Sequence, residues 1–221
     1  MASDAGAGGA CRIAIVGAGA ISHAVLPLLR DLPIGQLALI DGDRVERKNL
    51  ERQPLFTSSD TDRPKVIALA ERARHMLPGC KMIPHDVFLD DRNARELLRD
   101  LDIVVDAVDD LHAKALIDRV CGELPVPLVS GAVHGMQGQV MVFHAPGMNN
   151  ALGRAQLFPG VVGAGQDGCD MRNVPLALLE DLGRRMAQRI GDVLVQRPVV
   201  NGRIELLDRP DRPWMMIEPV A

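Results

Sequence analysis

The sequence predicts an α/β protein with a mainly parallel sheet, helices on both faces of that sheet, and a C-terminal helix and β-hairpin. Short β-branched runs alternate with amphipathic stretches from Cys11 onward, which is the pattern of parallel strands joined by helices. The runs 13–16 and 103–105 are apolar at every position, as expected for strands covered on both faces. Helical periodicity returns at 174–195 and is followed by Asn201-Gly202, a pair that favours a tight hairpin turn.

The elements follow one another at short intervals as far as residue 144. Pro64 suits the first turn of a helix, and Pro84 restricts its strand to an edge or an end of the sheet. The predicted strands are 11–17, 36–41, 80–86, 101–108, 127–131, 133–144 and two arms within 198–208. The first predicted helix follows the strand 11–17 and ends at about Arg30, and the others cover 64–77, 91–100, 110–122 and 174–195. We expect one domain over 11–208 with a long loop at 145–173, a mobile N-terminal tail over 1–10 and an extended C-terminal tail over 209–221.

Length and composition indicate a globular protein rather than a disordered, membrane-spanning or nucleic-acid-binding one. The chain has 221 residues, of which 47% are hydrophobic, and no apolar run approaches the roughly 20 residues of a membrane span. The formal net charge is −4 and aromatic residues make up 2%, both of which argue against a nucleic-acid partner. The N-terminus lacks a signal-peptide pattern and the four cysteines form no C-x-x-C pair, so we expect a reduced, cytoplasmic protein.

A glycine turn joins the first strand to the first helix. Gly17, Gly19 and Ala20 allow a tight turn, from which backbone N–H groups and the helix N-terminus can approach phosphate oxygens. Ser22 departs from the dinucleotide pattern, and the alternative is a strand–helix turn without a ligand. We favour nucleotide binding, with any adenine lying mostly against aliphatic walls because aromatic residues are so few.

Polar side chains cluster after the second predicted strand. Asp41 ends that strand, where a carboxylate can accept hydrogen bonds from ribose hydroxyls, and Asp43 follows it. Asn49, Arg52 and Gln53 come next, and Lys65 lies near the start of the next helix. An enzyme that attacks the α-phosphate of ATP needs such cations and amides, because negative charge builds on phosphate oxygens in the transition state. The alternative is a solvated, charged loop.

Three aspartates close the strand at 101–108. Carboxylates at the C-terminal edge of a parallel sheet face the ligand crevice, and hard oxygen ligands suit phosphate-bound Mg²⁺. Asp106, Asp109 and Asp110 are therefore candidates for a magnesium site, while the alternative is an acidic cap on the helix that begins near residue 110.

Taken together, residues 11–144 resemble the ThiF/MoeB/HesA adenylyltransferases, which are relatives of ubiquitin-activating enzymes. Each glycine motif is weak alone, but the order of the motifs is specific. The motifs that carry the resemblance are Gly17-Ala-Gly19, Leu39-Ile-Asp41-Gly-Asp43, Asn49-Leu-Glu-Arg52-Gln53, Arg63-Pro-Lys65, Val105-Asp106-Ala-Val-Asp109 and Gly131-Ala-Val-His-Gly135-Met-Gln-Gly138-Gln139. The resemblance agrees with the fold class above, in its Rossmann-like form.

The resemblance implies an adenylyltransferase that uses ATP and Mg²⁺ to activate a carboxylate as an acyl-adenylate. The usual carboxylate is the C-terminal glycine of a small ubiquitin-like sulfur-carrier protein. Arg52 and Lys65 would stabilise the α-phosphate during transfer, and Asp109 would hold Mg²⁺. The implied ATP contacts are Gly17, Gly19, Ala20, Asp41, Asp43, Asn49, Arg52, Gln53 and Lys65. A homodimer is also implied.

Several positions depart from the family pattern. Ala20 and Ser22 stand where glycines are usual, and Asp110 stands where Asn is usual. The two C-x-x-C pairs of many relatives are missing, so we expect no structural zinc, and we expect no counterpart of their upstream helix. Cys169, in the predicted long loop, is a candidate acceptor for the acyl or sulfur group, with an incidental cysteine as the alternative. His134 is a candidate substrate contact.

Three functions remain open from the sequence. The first is adenylation of a carrier protein or peptide, and the second is the same chemistry on a small-molecule carboxylate in a biosynthetic pathway. The third is an NAD-dependent oxidoreductase, suggested by the glycine turn and Asp41, although it leaves Arg52 and Lys65 unexplained. A catalytically inactive scaffold is a further alternative, against which the retained Arg52, Lys65 and Asp109 argue.

Overall fold

A computed structural model of the protein describes residues 10–147, 152–158, 174–208 and 213–219. Its strands are β1 (Cys11–Val16), β2 (Ile34–Ile40), β3 (Lys81–His85), β4 (Ile103–Asp106), β5 (Leu128–His134), β6 (Gln137–Phe143), β7 (Ile204–Leu207) and β8 (Met215–Ile217). Its α-helices are α1 (Ala20–Val25), α2 (Lys65–Met76), α3 (Ala94–Leu98), α4 (Leu111–Glu123), α5 (Arg154–Leu157) and α6 (Leu176–Leu194). Short 3₁₀ helices cover Leu26–Leu29, Arg47–Arg52 and Ser58–Asp60.

The strands form one sheet in the order β3-β2-β1-β4-β5-β6-β7-β8. The pairs from β3 to β5 are parallel, and those from β5 to β8 are antiparallel. The chain moves outward from β1 through β2 to β3 and then returns to the other side of β1 with β4. The strand order therefore reverses beside β1, and ligand crevices of open α/β sheets lie at the carboxyl ends of strands at such a point.

Alternating side chains divide the apolar core between the two faces of the sheet. Ile13 and Ile15 of β1 belong to one buried cluster, which includes apolar residues of α1, α2 and α6. Ala14 and Val16 belong to a second cluster, which includes residues of α3 and α4. Successive side chains of a strand point to opposite faces, so an apolar run covered on both sides is what this sequence pattern predicts. The α/β fold with helices on both faces is confirmed.

Pro84 lies in β3, the edge strand beside β2, as its missing N–H predicts. The helix predicted after Gly17 is shorter than expected, because α1 ends at Val25 and passes into a 3₁₀ helix that has Pro27 near its start. No helix among the described residues is long and apolar enough to cross a membrane.

The C-terminal helix and a C-terminal strand hairpin are present, but the hairpin is not centred on Asn201-Gly202. Its arms are β7 and β8, which pair antiparallel, and residues 198–200 form no strand. The reason is that Asn201 is fully buried and its side chain binds both the N–H (2.9 Å) and the carbonyl (3.0 Å) of Ala145. The prediction of two strand arms within 198–208 was therefore wrong.

The predicted long loop at 145–173 contains helix α5, which was not predicted from the sequence. The N–H of Gly153 donates to the Gln156 side chain and so begins this helix. Cys169 and nearly all of the tail predicted over 1–10 lie outside the described residues.

Candidate active site

A cavity of about 290 Å³ lies at the carboxyl ends of β1, β2 and β4. Every residue predicted to contact ATP or to act in catalysis lines it: Gly17, Gly19, Ala20, Asp41, Asp43, Asn49, Arg52, Gln53, Lys65 and Asp109. Residues that lie up to 92 positions apart in the sequence numbering, from Gly17 to Asp109, thus meet at the place where the strand order reverses. Their individual roles stay predictions.

The glycine turn is fixed by a close backbone approach. Gly17 has a φ of +96°, and a Cβ at this position would lie 2.7 Å from the carbonyl oxygen of Ala107. The buried hydroxyl of Ser22 donates to the carbonyl of Gly17. The serine that replaces the usual glycine at this position therefore stabilises the turn by a hydrogen bond. Among the described residues outside the turn itself, the nearest neighbour of a Cβ on Gly19 would be the Gln53 amide nitrogen at 3.9 Å, so this part of the turn is open.

Asp41 links the glycine turn to the loop after β2. Its carboxylate accepts from the N–H of Ala18 (2.6 Å) and from the N–H of Asp43 (2.7 Å). Burial raises the pKa of the Asp41 carboxyl, while these two amide hydrogen bonds act to lower it. Each carboxylate oxygen can accept more than one hydrogen bond, so Asp41 retains capacity for ribose hydroxyls.

Two cationic side chains occupy the wall formed by the Asn49–Gln53 turn and the start of α2. The Lys65 ammonium is nearly buried and donates to Asp43 Oδ2 at 2.7 Å. The Arg52 guanidinium donates to Asn49 Oδ1 at 3.3 Å. Gln53 is buried, and its Oε1 has no hydrogen-bond partner among the described residues. A buried amide group without a partner is destabilising, so a polar ligand in the cavity would satisfy it.

The three aspartates at the end of β4 and directly after it have three different environments. Asp106 is fully buried and paired with Lys114 Nζ (3.0 Å) and the Ser130 hydroxyl (2.6 Å). Asp110 caps α4 by accepting from the N–H of Ala113 (2.7 Å), so the capping alternative is correct for this residue. Asp109 and Asp110 are both exposed and both line the cavity. Because the Asp110 carboxylate already binds the N-terminus of α4, Asp109 is the better placed of the two for a metal-bound phosphate.

Within the described ranges, no three His, Cys, Asp or Glu side chains come together as a metal site. Magnesium in nucleotide sites is commonly held by one or two carboxylates together with substrate phosphates and water. The residues around this cavity fit a magnesium site in which one carboxylate, that of Asp109, acts together with substrate phosphates and water.

Phe88 lines the cavity and was not singled out from the sequence. It is 67% exposed, and its ring packs over Gly42, where a Cβ would lie 2.6 Å from the ring. An aromatic surface is therefore present beside Asp41, against the expectation of mostly aliphatic walls. Its position in the loop after β3, at the same sheet edge, is the signal that could have identified it. His134 is exposed at the end of β5 and does not line the cavity.

His23 lies behind the cavity wall, on α1, and is 2% exposed. Its Nδ1 accepts a hydrogen bond from the N–H of Leu55 (3.1 Å), and its ring meets that of Phe56 edge-on, with centroids 4.4 Å apart. Burial, and then the charge of Lys65, lower the pKa of His23 from 6.5 to about 3. The imidazole is therefore neutral at ordinary pH.

This buried histidine should make the protein sensitive to acid. Between pH 6.5 and about 3 the unfolded chain binds a proton on His23 that the folded protein does not, so the free energy of unfolding falls as pH falls through this window. The limiting slope is about 1.4 kcal/mol per pH unit. We expect His23→Asn, which has no group that titrates there, to show a shallower pH dependence in urea unfolding. Equal slopes for the two proteins would show that His23 is protonated normally.

Comparison with known proteins gives a family and a fold. A model described as the ThiF family matches residues 9–219. Over 149 residues the chain is 36% identical to the sulfur carrier protein adenylyltransferase of Thermus thermophilus, covering 66% of this chain and 55% of that protein. It is 33% identical over 132 residues to the molybdopterin-synthase adenylyltransferase of Escherichia coli, covering 60% of this chain and 53% of that protein.

The chain thus matches little more than half the length of these two relatives. The crystal structure of PaaA superposes on this chain with a TM-score of 0.76. The match covers 94% of this chain and 64% of the PaaA chain. It is 20% identical, so this similarity is one of fold.

Proposed function

The chain belongs to the ThiF family, and from that premise we propose that it is an ATP- and Mg²⁺-dependent adenylyltransferase that activates a carboxylate as an acyl-adenylate. The observation that carries the proposal is that all the residues to which the family resemblance assigns this chemistry line one cavity at the reversal of strand order. An isolated glycine turn supports any nucleotide, but the combination of Asn49, Arg52, Gln53 and Lys65 supports a triphosphate.

The proposed reaction is an in-line displacement at the α-phosphorus. A carboxylate oxygen of the substrate forms a bond to this phosphorus, the bond to the bridging α–β oxygen breaks, and pyrophosphate leaves with the electron pair. The carboxylate is already ionised at neutral pH, so no general base is required. Positioning and charge stabilisation should therefore supply most of the rate.

The cations meet the charge that develops during this step. Arg52 is held in the 3₁₀ turn by Asn49 and presents planar N–H donors suited to phosphate oxygens. Lys65 is held by Asp43, and because an ammonium has three donors it can bind Asp43 and a phosphate oxygen together. Asp41 would orient the ribose, and Asp109 would hold Mg²⁺, which neutralises phosphate charge when bound.

The proposed substrate is the C-terminus of a small ubiquitin-like carrier protein or peptide. The support is that relatives matched here are named for sulfur carrier protein and for molybdopterin synthase. A small-molecule carboxylate is the competing substrate for the same site. We further propose a cytoplasmic homodimer, since the family resemblance implies one.

ATP–pyrophosphate exchange tests this function. We expect a carrier protein that ends in Gly-Gly to drive exchange, because its terminal carboxylate is the nucleophile. The same carrier with an amidated C-terminus is the matched control and should be inactive. If small carboxylates drive exchange and carrier proteins do not, the substrate is a small-molecule carboxylate, and the proposed adenylation chemistry still holds. Absence of exchange with either class of carboxylate would count against adenylation itself.

A further inference from the structure

We propose that His23 is a positioning residue for the α-phosphate site, which it serves by fixing the Arg52–Gln53 turn against helix α1. This inference rests on the proposed function, because it assigns Arg52 to the α-phosphate. His23 does not line the cavity and is not expected to touch ATP. It would act through the backbone of the segment that follows Gln53.

The contacts of His23 join two walls of the cavity. Helix α1 begins at Ala20, directly after the glycine turn, and carries His23 one turn further on. The N–H of Leu55, two residues after Gln53, donates to His23 Nδ1 at 3.1 Å, and Phe56 packs edge-on against the ring. The His23 side chain, on the helix that follows the glycine turn, thus binds the backbone that follows the Arg52–Gln53 turn. This contact sets the distance between the two turns.

The same segment is held from its opposite side by α2. The Arg72 guanidinium donates to the carbonyl of Leu55 at 3.2 Å and to Asp60 at 3.0 Å. Both polar groups of the Leu55 backbone are thus bound by side chains, one from each flanking helix. Helix α2 also carries Lys65, so the two cations proposed to meet the α-phosphate are fixed relative to each other through Leu55.

An apolar residue in place of His23 could not perform this role. The N–H of Leu55 points at Nδ1, which must be an unprotonated acceptor, so the ring proton lies on Nε2. A side chain without an acceptor would leave the N–H of Leu55 without its partner in a partly buried setting. The segment would then relax, and displacements of about 1 Å in a catalytic group are enough to lower rates strongly.

The test is ³¹P NMR of MgATP bound to the protein, which needs no acyl substrate. The variants are Arg52→Ala, His23→Ala, His23→Asn and the Arg52→Ala/His23→Ala double variant. Asn places an amide oxygen near the position of Nδ1 and should retain the wild-type α-phosphorus resonance. Arg52→Ala should shift this resonance, and His23→Ala should shift it in the same direction. In the double variant His23→Ala should add nothing, because its effect passes through Arg52.

A merely structural role predicts a different result. Ile190→Val, a buried change in α6, is the control for lost stability and should leave the α-phosphorus resonance unchanged. If His23→Ala does not fold, His23→Leu takes its place, because leucine fills space and has only a methyl carbon at the position of Nδ1. A His23→Ala resonance equal to wild type, or an additive double variant, would overturn the positioning role alone. If Arg52→Ala leaves the resonance unchanged, or if MgATP does not bind, the proposed function fails and this inference fails with it.

Discussion

Replacing Arg52 with alanine should lower the rate of ATP–pyrophosphate exchange by about 10²–10³-fold, with a much smaller change in ATP affinity. The guanidinium lines the cavity and is oriented by Asn49, so it can meet charge that appears on the α-phosphate during displacement. An interaction that strengthens only in the transition state changes turnover rather than ground-state binding. Steady-state exchange with the activating carboxylate, together with calorimetric ATP affinity, measures both quantities.

Arg47→Ala provides the matched control for this variant. Arg47 belongs to the same 3₁₀ helix, is exposed and does not line the cavity. Its removal deletes the same charge from the same turn and should leave exchange close to wild type. Equal losses in the two variants would mean that the turn acts as a general field of positive charge, and wild-type exchange in Arg52→Ala would exclude the assigned role.

Replacing Lys114 with methionine should lower the free energy of unfolding by about 3–5 kcal/mol, the usual effect of removing one partner of a buried ion pair. Lys114 is almost fully buried and donates to both oxygens of Asp106 and to the carbonyl of Gly131 at 2.7 Å. Methionine has similar length but no donor, so Asp106 would remain buried without its direct cationic partner. Urea denaturation monitored by circular dichroism measures the loss.

The exposed pair Arg95–Glu123 is the control for this second prediction. Its side chains are 65% and 43% exposed, so Arg95→Met should change stability by at most about 1 kcal/mol. A similarly small change in Lys114→Met would show that the loss of the buried cation beside Asp106 costs little. The contrast between the two variants therefore isolates the effect of burial.

The parts of the site that follow from local pattern could be predicted from the sequence. An apolar run that ends in a glycine turn places Gly17 at a strand end, and acids at the ends of strands reach the same sheet edge. Asp41 and Asp109 line the cavity as expected because the parallel registry aligns those ends. The position of a carboxylate at a strand end could not distinguish the buried Asp106 from Asp109, which lines the cavity. Asp106 is buried as the partner of Lys114 in helix α4, and this contact is not visible in the sequence.

The missed residues depend on contacts between distant segments. His23 is an unremarkable helical residue until Leu55 is placed against it, and Lys114 acquires its role from Asp106 and Gly131. Asn201 carries a strong turn signal, but its side chain binds the backbone of Ala145 across 56 residues of sequence. Local propensity therefore predicted the turn at Asn201 correctly, but the strand that it predicted before this turn, at 198–200, does not form.

The most direct test of the central claim is the choice of nucleotide, measured by isothermal titration calorimetry. A cavity that combines a glycine turn with Arg52, Lys65 and Asp109 should bind ATP in the presence of Mg²⁺ and show little affinity for NAD⁺. The glycine turn and Asp41 alone would suit either nucleotide, so the result tests the roles of Arg52, Lys65 and Asp109. Tight binding of NAD⁺ without binding of ATP would contradict the adenylation mechanism and favour an oxidoreductase.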